Sequence, residues 1–408
     1  MAIADREAEL ARLVRSHERW RAKSVFNLLP SENALSTTAR KYLASDLAGR
    51  YTLPHAAPSG ETGATNDYGG TRFTDQIERL GNEAAGQLFH GRFATTRPLS
   101  GHIAAMSALV PLLPKGAKLL AIPPDRGGYD GYAPDYLPKM FGWEVRPMPA
   151  EGPGNSVIAE TAISEIDRER PNAVLLGQSL FLFPYPLKEI AEAAHARDAL
   201  VLYDGSHVLG LIAGGQFQDP LREGADLLYG STHKSFPGPQ GGLLVTDRED
   251  LFQRIDPSLT WRVFDNAHWN RIAALAQTLL ELERFGGAYA KAVVEDAQGL
   301  GRALSERGLS MVADDSGFTR SHQVHVDRGA LEERWHLRPS ALARRWERDR
   351  LITDLIGRLG TAEIARLGLT PAEMPKLADL LVRSGLRKER VGSEVLAFRR
   401  SYPKLAFA

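Results

Sequence analysis

Lys234 lies in Ser231-Thr232-His233-Lys234-Ser235-Phe236-Pro237-Gly238-Pro239-Gln240-Gly241-Gly242, between a polar run and a Gly/Pro-rich turn, where its amine can condense with an aldehyde. Upstream, Leu200-Val201-Leu202-Tyr203-Asp204 is an apolar run of strand length ending in a carboxylate, followed by Gly205-Ser206-His207. A lysine can hold a carbonyl cofactor as a Schiff base, and an aspartate can keep a pyridine nitrogen protonated so that the ring accepts electrons from a carbanion. Together they suggest pyridoxal phosphate. Neither residue is diagnostic alone, since a loop lysine is usually solvated and a strand-end Asp usually forms a turn. A third segment adds weight: Ser100-Gly101-His102 opens a predicted helix. There, free backbone N–H groups and the positive end of the helix dipole favour a phosphate, and glycine allows close approach. The plainer role of Ser100 is an N-cap.

These residues need a frame. The pattern predicts an amphipathic helix from Asp5 to about Ala22, then an irregular stretch from Leu28 to Gly70 whose length suggests functional loops. A helical face through Ile77, Leu80, Ala84 and Leu88 follows, then the helix Ile103–Leu113 and a strand Lys118–Ile122. Apolar runs at 173–177, 200–204, 226–229 and 242–245 have strand length, with the helix 186–199 between two of them. This alternation predicts an α/β fold with a mostly parallel central sheet covered by helices on both faces. A long helix, 272–285, leads to a smaller α/β region with strands at 323–326 and 358–360 and a helix over 371–382. The expected organisation is an N-terminal helix and arm (1–50), a large domain (51–270) and a small C-terminal domain (271–408).

Composition narrows the partners. The chain has 408 residues, enough for two substantial cores, and its 50 basic residues balance 50 acidic ones. No excess positive charge is present to neutralise a phosphate backbone or an anionic membrane, so nucleic acid and membrane partners are not expected. The absence of cysteine removes thiolate metal sites and cysteine nucleophiles, and no metal is expected. The charged N-terminus lacks a signal-peptide core and no apolar run reaches membrane-spanning length, which reads as cytoplasmic.

Taken in order, Leu29-Pro30-Ser31-Glu32-Asn33, Tyr68-Gly69-Gly70, Asp204-Gly205-Ser206-His207-Val208 and Thr232-His233-Lys234 resemble the signatures of serine hydroxymethyltransferase and its relatives among fold type I pyridoxal-phosphate enzymes. The resemblance covers nearly the whole chain and implies the aspartate aminotransferase-like fold. It implies catalytic roles for Lys234, Asp204, His207 and Tyr51. It implies cofactor contacts from Ser100, Gly101, His102, Tyr129, Ser179, Asp204, His207, Ser231, His233, Lys234 and, across a dimer interface, His268. Arg358, in Arg-Leu-Gly-Thr, looks like the family's carboxylate clamp, since a guanidinium grips a carboxylate bidentately. Ser31 is its helper, and Tyr51 and Tyr68 reach into the neighbouring subunit's site, which implies a homodimer.

Departures from the family pattern bear on the reaction. His102 replaces a usual serine, and Tyr129 replaces the imidazole that commonly stacks on the cofactor; a phenol covers the ring but does not titrate near neutrality. Tyr51 is followed by Thr52-Leu53-Pro54-His55, without the glutamate of folate-dependent members, for which Glu61 or His55 are the candidate substitutes. The run from Arg348 to Arg358 leaves no room for the Asn/Pro-rich segment that accompanies folate. Ser316–His325 and Pro237–Gln240 look closer to the L-threonine transaldolase branch. The resemblance therefore implies cleavage or formation of the Cα–Cβ bond of a β-hydroxy-α-amino acid, with glycyl transfer to an aldehyde and no folate. The alternatives are a serine or α-methylserine hydroxymethyltransferase using tetrahydrofolate, a racemase or aminotransferase on the same scaffold, and a cofactor-binding regulator without turnover.

Overall fold

A computed structural model describes residues 3–55, 65–66, 68–152 and 154–408. Glu61 lies outside the described residues. The chain divides into two units: one of residues 31–291 with 320–322 and Ala408, the other of residues 1–30, 292–319 and 323–407.

The larger unit is organised around a seven-stranded sheet. Its strands in chain order are β1 (Phe93–Thr95), β2 (Lys118–Ala121), β3 (Glu144–Pro147), β4 (Ala173–Leu176), β5 (Leu200–Asp204), β6 (Leu227–Ser231) and β7 (Gly242–Thr246), and their spatial order is β1-β7-β6-β5-β4-β2-β3. From β3 to β6 every neighbouring pair is parallel, whereas β7 runs antiparallel to both β6 and β1. Strands β4, β6 and β7 are buried at every residue, as continuous apolar runs must be when helices cover both faces. β3 is different: Glu144-Val145-Arg146-Pro147 is exposed at both ends and carries a proline, which suits an edge. Helix Gly101–Leu112 packs into the core of this unit, and its lack of a polar face fits that burial.

The stretch read as irregular contains a helix, Thr37–Leu43, whose start is fixed by Ser36 Oγ accepting the Ala39 N–H at 3.1 Å. The helix read as 272–285 runs over 38 residues, from Trp269 to Glu306, and supplies residues to both units. Gly286-Gly287, a stop signal by sequence, lies inside it. A Cβ at Gly214 would sit 2.4 Å from the Gly286 carbonyl oxygen, so the close approach demands glycine at 214, whereas a Cβ at Gly286 or Gly287 would meet nothing closer than 3.5 Å.

In the smaller unit, Phe26-Asn27 pairs in parallel with Leu351-Ile352, and Gln323–His325 pairs antiparallel with Arg358–Gly360. Arg399 fastens the N-terminal segment there, donating to the carbonyls of Val25 at 3.1 Å and Ala22 at 2.7 Å. Phe26, Leu28, Leu300, Trp346, Leu359 and Leu377 share its core. No helix among the described residues is long and apolar enough to cross a membrane.

Candidate active site

The parallel strands end on one cleft, lined by Gly101, His102, Tyr129, Gln178, Ser179, Asp204, Ser206, His207, Ser231 and Lys234. Eight of these ten are sequence-predicted residues, and Gln178 and Ser206 join them.

One wall is the start of helix Gly101–Leu112. Ser100 caps it, its Oγ accepting the Ile103 N–H at 3.1 Å, which leaves the first-turn N–H groups of Gly101 and His102 without helical partners. A Cβ at Gly101 would lie 1.9 Å from Ser231 Oγ, so only glycine lets the helix start meet the end of β6. Ser231 is oriented by Ser206, whose Oγ accepts the Ser231 N–H at 3.0 Å.

Asp204, at the end of β5, is buried. Its Oδ1 accepts the Ser206 N–H at 3.0 Å and its Oδ2 accepts the Tyr132 hydroxyl at 2.6 Å. Beside it, the buried His207 stacks on the buried His322, ring centres 5.5 Å apart at 20°.

The Lys234 loop is held by its backbone. Thr232 Oγ1 donates to the Pro239 carbonyl at 2.6 Å and the Gly238 N–H to the Thr232 carbonyl at 2.9 Å, closing the turn. Asn33 Nδ2 donates to the Lys234 carbonyl at 2.8 Å, and the Tyr289 hydroxyl to the Ser235 carbonyl at 2.7 Å. These bonds fix the backbone on either side of the Lys234 side chain. His233 is neutral at ordinary pH, its imidazole pushed down to about 4 by burial and by the Lys234 charge.

The loop carrying Tyr129 is pinned by the Ser179 N–H donating to the Gly127 carbonyl at 2.7 Å, and by Gly128, where a Cβ would lie 1.8 Å from the Ile122 carbonyl oxygen. Tyr129 and His102 share a 2.8 Å hydrogen bond. Burial, then the Asp204 charge, pushes the Tyr129 phenol up to about 12, and burial lowers the His102 imidazole. Both stay neutral near pH 7.

Other predicted residues lie elsewhere. Tyr51 and Tyr68 are exposed, ring centres 5.2 Å apart and edge-on, with the Tyr51 hydroxyl donating to Asp265 at 2.7 Å. His268 is exposed with a φ of +54°, just before helix Trp269–Glu306. Ser31 is half-buried in a turn. None of these four lines the cleft around Lys234. Arg358, in the smaller unit, is paired with Asp354 at 2.6 Å. No cluster of metal-ligating side chains occurs among the described residues.

Sequence reasoning passed over Tyr132, Tyr229, His322 and the hold of Asn33 on the lysine loop. Tyr229 was within reach, since it lies two residues before Ser231 on β6 and so on the same face.

Pyridoxal phosphate is chemically matched to this cleft. Its dianion would meet first-turn N–H groups and a serine, its ring nitrogen a buried carboxylate, and its aldehyde an amine. The fold and the cleft define a fold type I pyridoxal-phosphate-dependent enzyme. Residues 3–333 match the family model described as serine hydroxymethyltransferase. Curated relatives bearing that name include those of Pyrobaculum neutrophilum, 36% identical over 98% of this chain and 94% of the relative, and Methanocella arvoryzae, 36% identical over 93% and 91%. A crystal structure of L-threonine transaldolase from Pseudomonas fluorescens superposes with a TM-score of 0.89 at 23% identity, covering 99% of this chain and 94% of that one. The chain belongs to the serine hydroxymethyltransferase family.

Proposed function

We propose that the protein makes and breaks the Cα–Cβ bond of β-hydroxy-α-amino acids by glycyl transfer between aldehydes, without folate. Family membership supports the bond-making class. The observation that carries folate independence is the short link before Arg358: helix Pro339–Arg348 is followed by strand Leu351-Ile352 and then strand Arg358–Gly360. Asp354 closes it as a tight turn, Oδ1 accepting the N–H groups of Ile356 and Arg358 at 2.9 and 3.0 Å and Oδ2 the Arg358 Nε. A link this short supports the absence of the segment that accompanies folate in the family.

Pyridoxal phosphate, when bound, supplies an aldehyde for condensation with amines and a ring that accepts electrons. Lys234 would hold it, offering the Nζ amine for condensation with its aldehyde. Asp204 would keep a proton at the ring nitrogen, while the N–H groups of Gly101 and His102, with Ser100 and Ser231, would bind the phosphate. Tyr129, His207 and Ser179, which line the same cleft, would contact the ring and its phenolic oxygen side. Arg358, with Ser31 as its helper, would bind and orient the substrate carboxylate. Tyr51, Tyr68 and His268 complete the neighbouring subunit's site in a homodimer. Their exposure, and that of Leu10, Leu13 and Val14 on helix Ile3–Lys23, supports this arrangement.

A second reading, serine hydroxymethyl transfer with tetrahydrofolate, is favoured by the names of the relatives at 36% identity. Serine turnover measured with and without tetrahydrofolate separates the two, and strong stimulation overturns folate independence. Acetaldehyde released from threonine when a second aldehyde is added supports glycyl transfer. Borohydride reduction followed by peptide mass spectrometry places the cofactor on Lys234, and an unmodified Lys234 refutes the site.

A further inference from the structure

Asp204 is held on the protein side by one donor on each carboxylate oxygen. One oxygen takes a backbone N–H, from Ser206, and the other takes a phenol, from Tyr132 at 2.6 Å. The Tyr132 oxygen lies 2.7 Å from the Tyr229 oxygen. An ionised carboxylate only accepts, and a phenol has one proton to give. The Tyr132 proton is therefore spent on Asp204, and the second contact runs from Tyr229 to Tyr132. Both rings are buried, at 2% and 0% exposure, so water does not interrupt the chain. In such surroundings consecutive hydrogen bonds polarise one another, and a donor to a carboxylate lowers its appetite for a proton. Burial, then the Asp204 charge, raises both phenols well above their ordinary value, so they remain donors across the neutral range.

We propose that Tyr132, backed by Tyr229, is a positioning residue that sets the basicity of Asp204 and through it the sharing of the proton on the cofactor's ring nitrogen. With both phenols in place the proton stays on the ring, and the ring is a stronger electron sink. This rests on the reading of Asp204 as the ring-nitrogen partner.

The test uses holoenzyme with Tyr132→Phe, Tyr229→Phe, the double variant and Asp204→Asn. Each is loaded with pyridoxal phosphate or with its analogue carrying carbon in place of the ring nitrogen. The readout is the pH midpoint of the cofactor's visible absorption. A carboxylate stripped of a donor draws the proton off the ring, so the midpoint moves to higher pH. The expected shift for Tyr132→Phe is about 0.5 to 1 unit. Tyr229→Phe shifts it the same way by less, the double variant matches Tyr132→Phe, and every shift vanishes with the carbon analogue. The proposal is overturned if Tyr132→Phe leaves the midpoint in place, if the shift persists with the carbon analogue, or if the two variants add. Should Tyr132→Phe not accumulate, Tyr229→Phe reads the same chain by the same criteria. Asp204→Asn tells the two failures apart. If it alone moves the midpoint, the relay is wrong and the site stands; if it too is silent, both fall.

Discussion

Asp296, on helix Trp269–Glu306, is fully buried and neither of its carboxylate oxygens has a hydrogen-bond partner. Desolvation first, then the neighbouring charges of Glu373 and Glu295, pushes its carboxyl from the ordinary 3.8 up to about 8. The Tyr402 phenol, which feels the Asp296 charge, is itself raised by burial and by Glu373. Well below 3.8, Asp296 is protonated in both folded and unfolded chains and costs nothing by titration. As pH rises the unfolded chain releases this proton while the folded one keeps it, so stability falls until the folded group titrates near 8, where the loss levels off. At about 1.4 kcal/mol per pH unit, the interval from 3.8 to 7 amounts to at most ~4 kcal/mol.

Asp296→Asn removes this liability. Its stability relative to the parent protein, from denaturant midpoints at several pH values, should rise by about 1.4 kcal/mol per unit between pH 5 and pH 7.5. The buried amide adds a constant offset that does not alter the slope. A difference that stays flat across this range would refute the argument.

Three further outcomes concern the site. Gly101→Ala forces a methyl into Ser231, and overpacking of about 1–3 kcal/mol should weaken pyridoxal phosphate binding roughly 10- to 100-fold by absorbance titration. Asn33→Ala loosens the Lys234 loop: loss of a bond of about 1 kcal/mol should lower kcat/KM about fivefold and speed amide exchange at Gly238, with the melting temperature nearly unchanged. Arg358→Lys gives up the planar fork for a point charge, and KM for the amino acid should rise roughly 10-fold or more while cofactor affinity holds.

How much was legible follows burial and distance along the chain. Leu200–Asp204 could be read as a central strand because a strand covered on both faces must be apolar throughout, and its terminal carboxylate then stands out. Phe93–Thr95 is too short for any period, and Glu144–Pro147 mixes charge with proline because an edge strand tolerates both. Helix Thr37–Leu43 was hidden among turn formers, although Ser36 carries the cap signal. The antiparallel course of β7 follows from the short return after the Lys234 turn, which periodicity does not encode. Lys234, Asp204 and Ser100–His102 were legible because each couples a reactive group to a recognisable element end. Tyr132 was not: it meets Asp204 across 72 positions, and nothing local distinguishes its phenol from a core aromatic.

The position of Tyr51 permits a test of shared sites that does not depend on the chemistry assigned to it. Its hydroxyl faces Asp265 on an exposed surface, and that hydrogen bond, with the Asp265 charge, pushes the phenol up to about 12, so it stays protonated and able to donate. If it acts in the neighbouring subunit, a hybrid dimer of one Lys234→Ala chain and one Tyr51→Ala chain holds one site with both lesions and one with neither. Random exchange makes half the dimers hybrid, so about a quarter of parental activity should return from two inactive parents. If Tyr51 serves its own subunit, every site in the hybrid carries one lesion and no activity returns. The quarter is set by symmetry alone, so recovery of a few per cent would refute the shared arrangement as firmly as none.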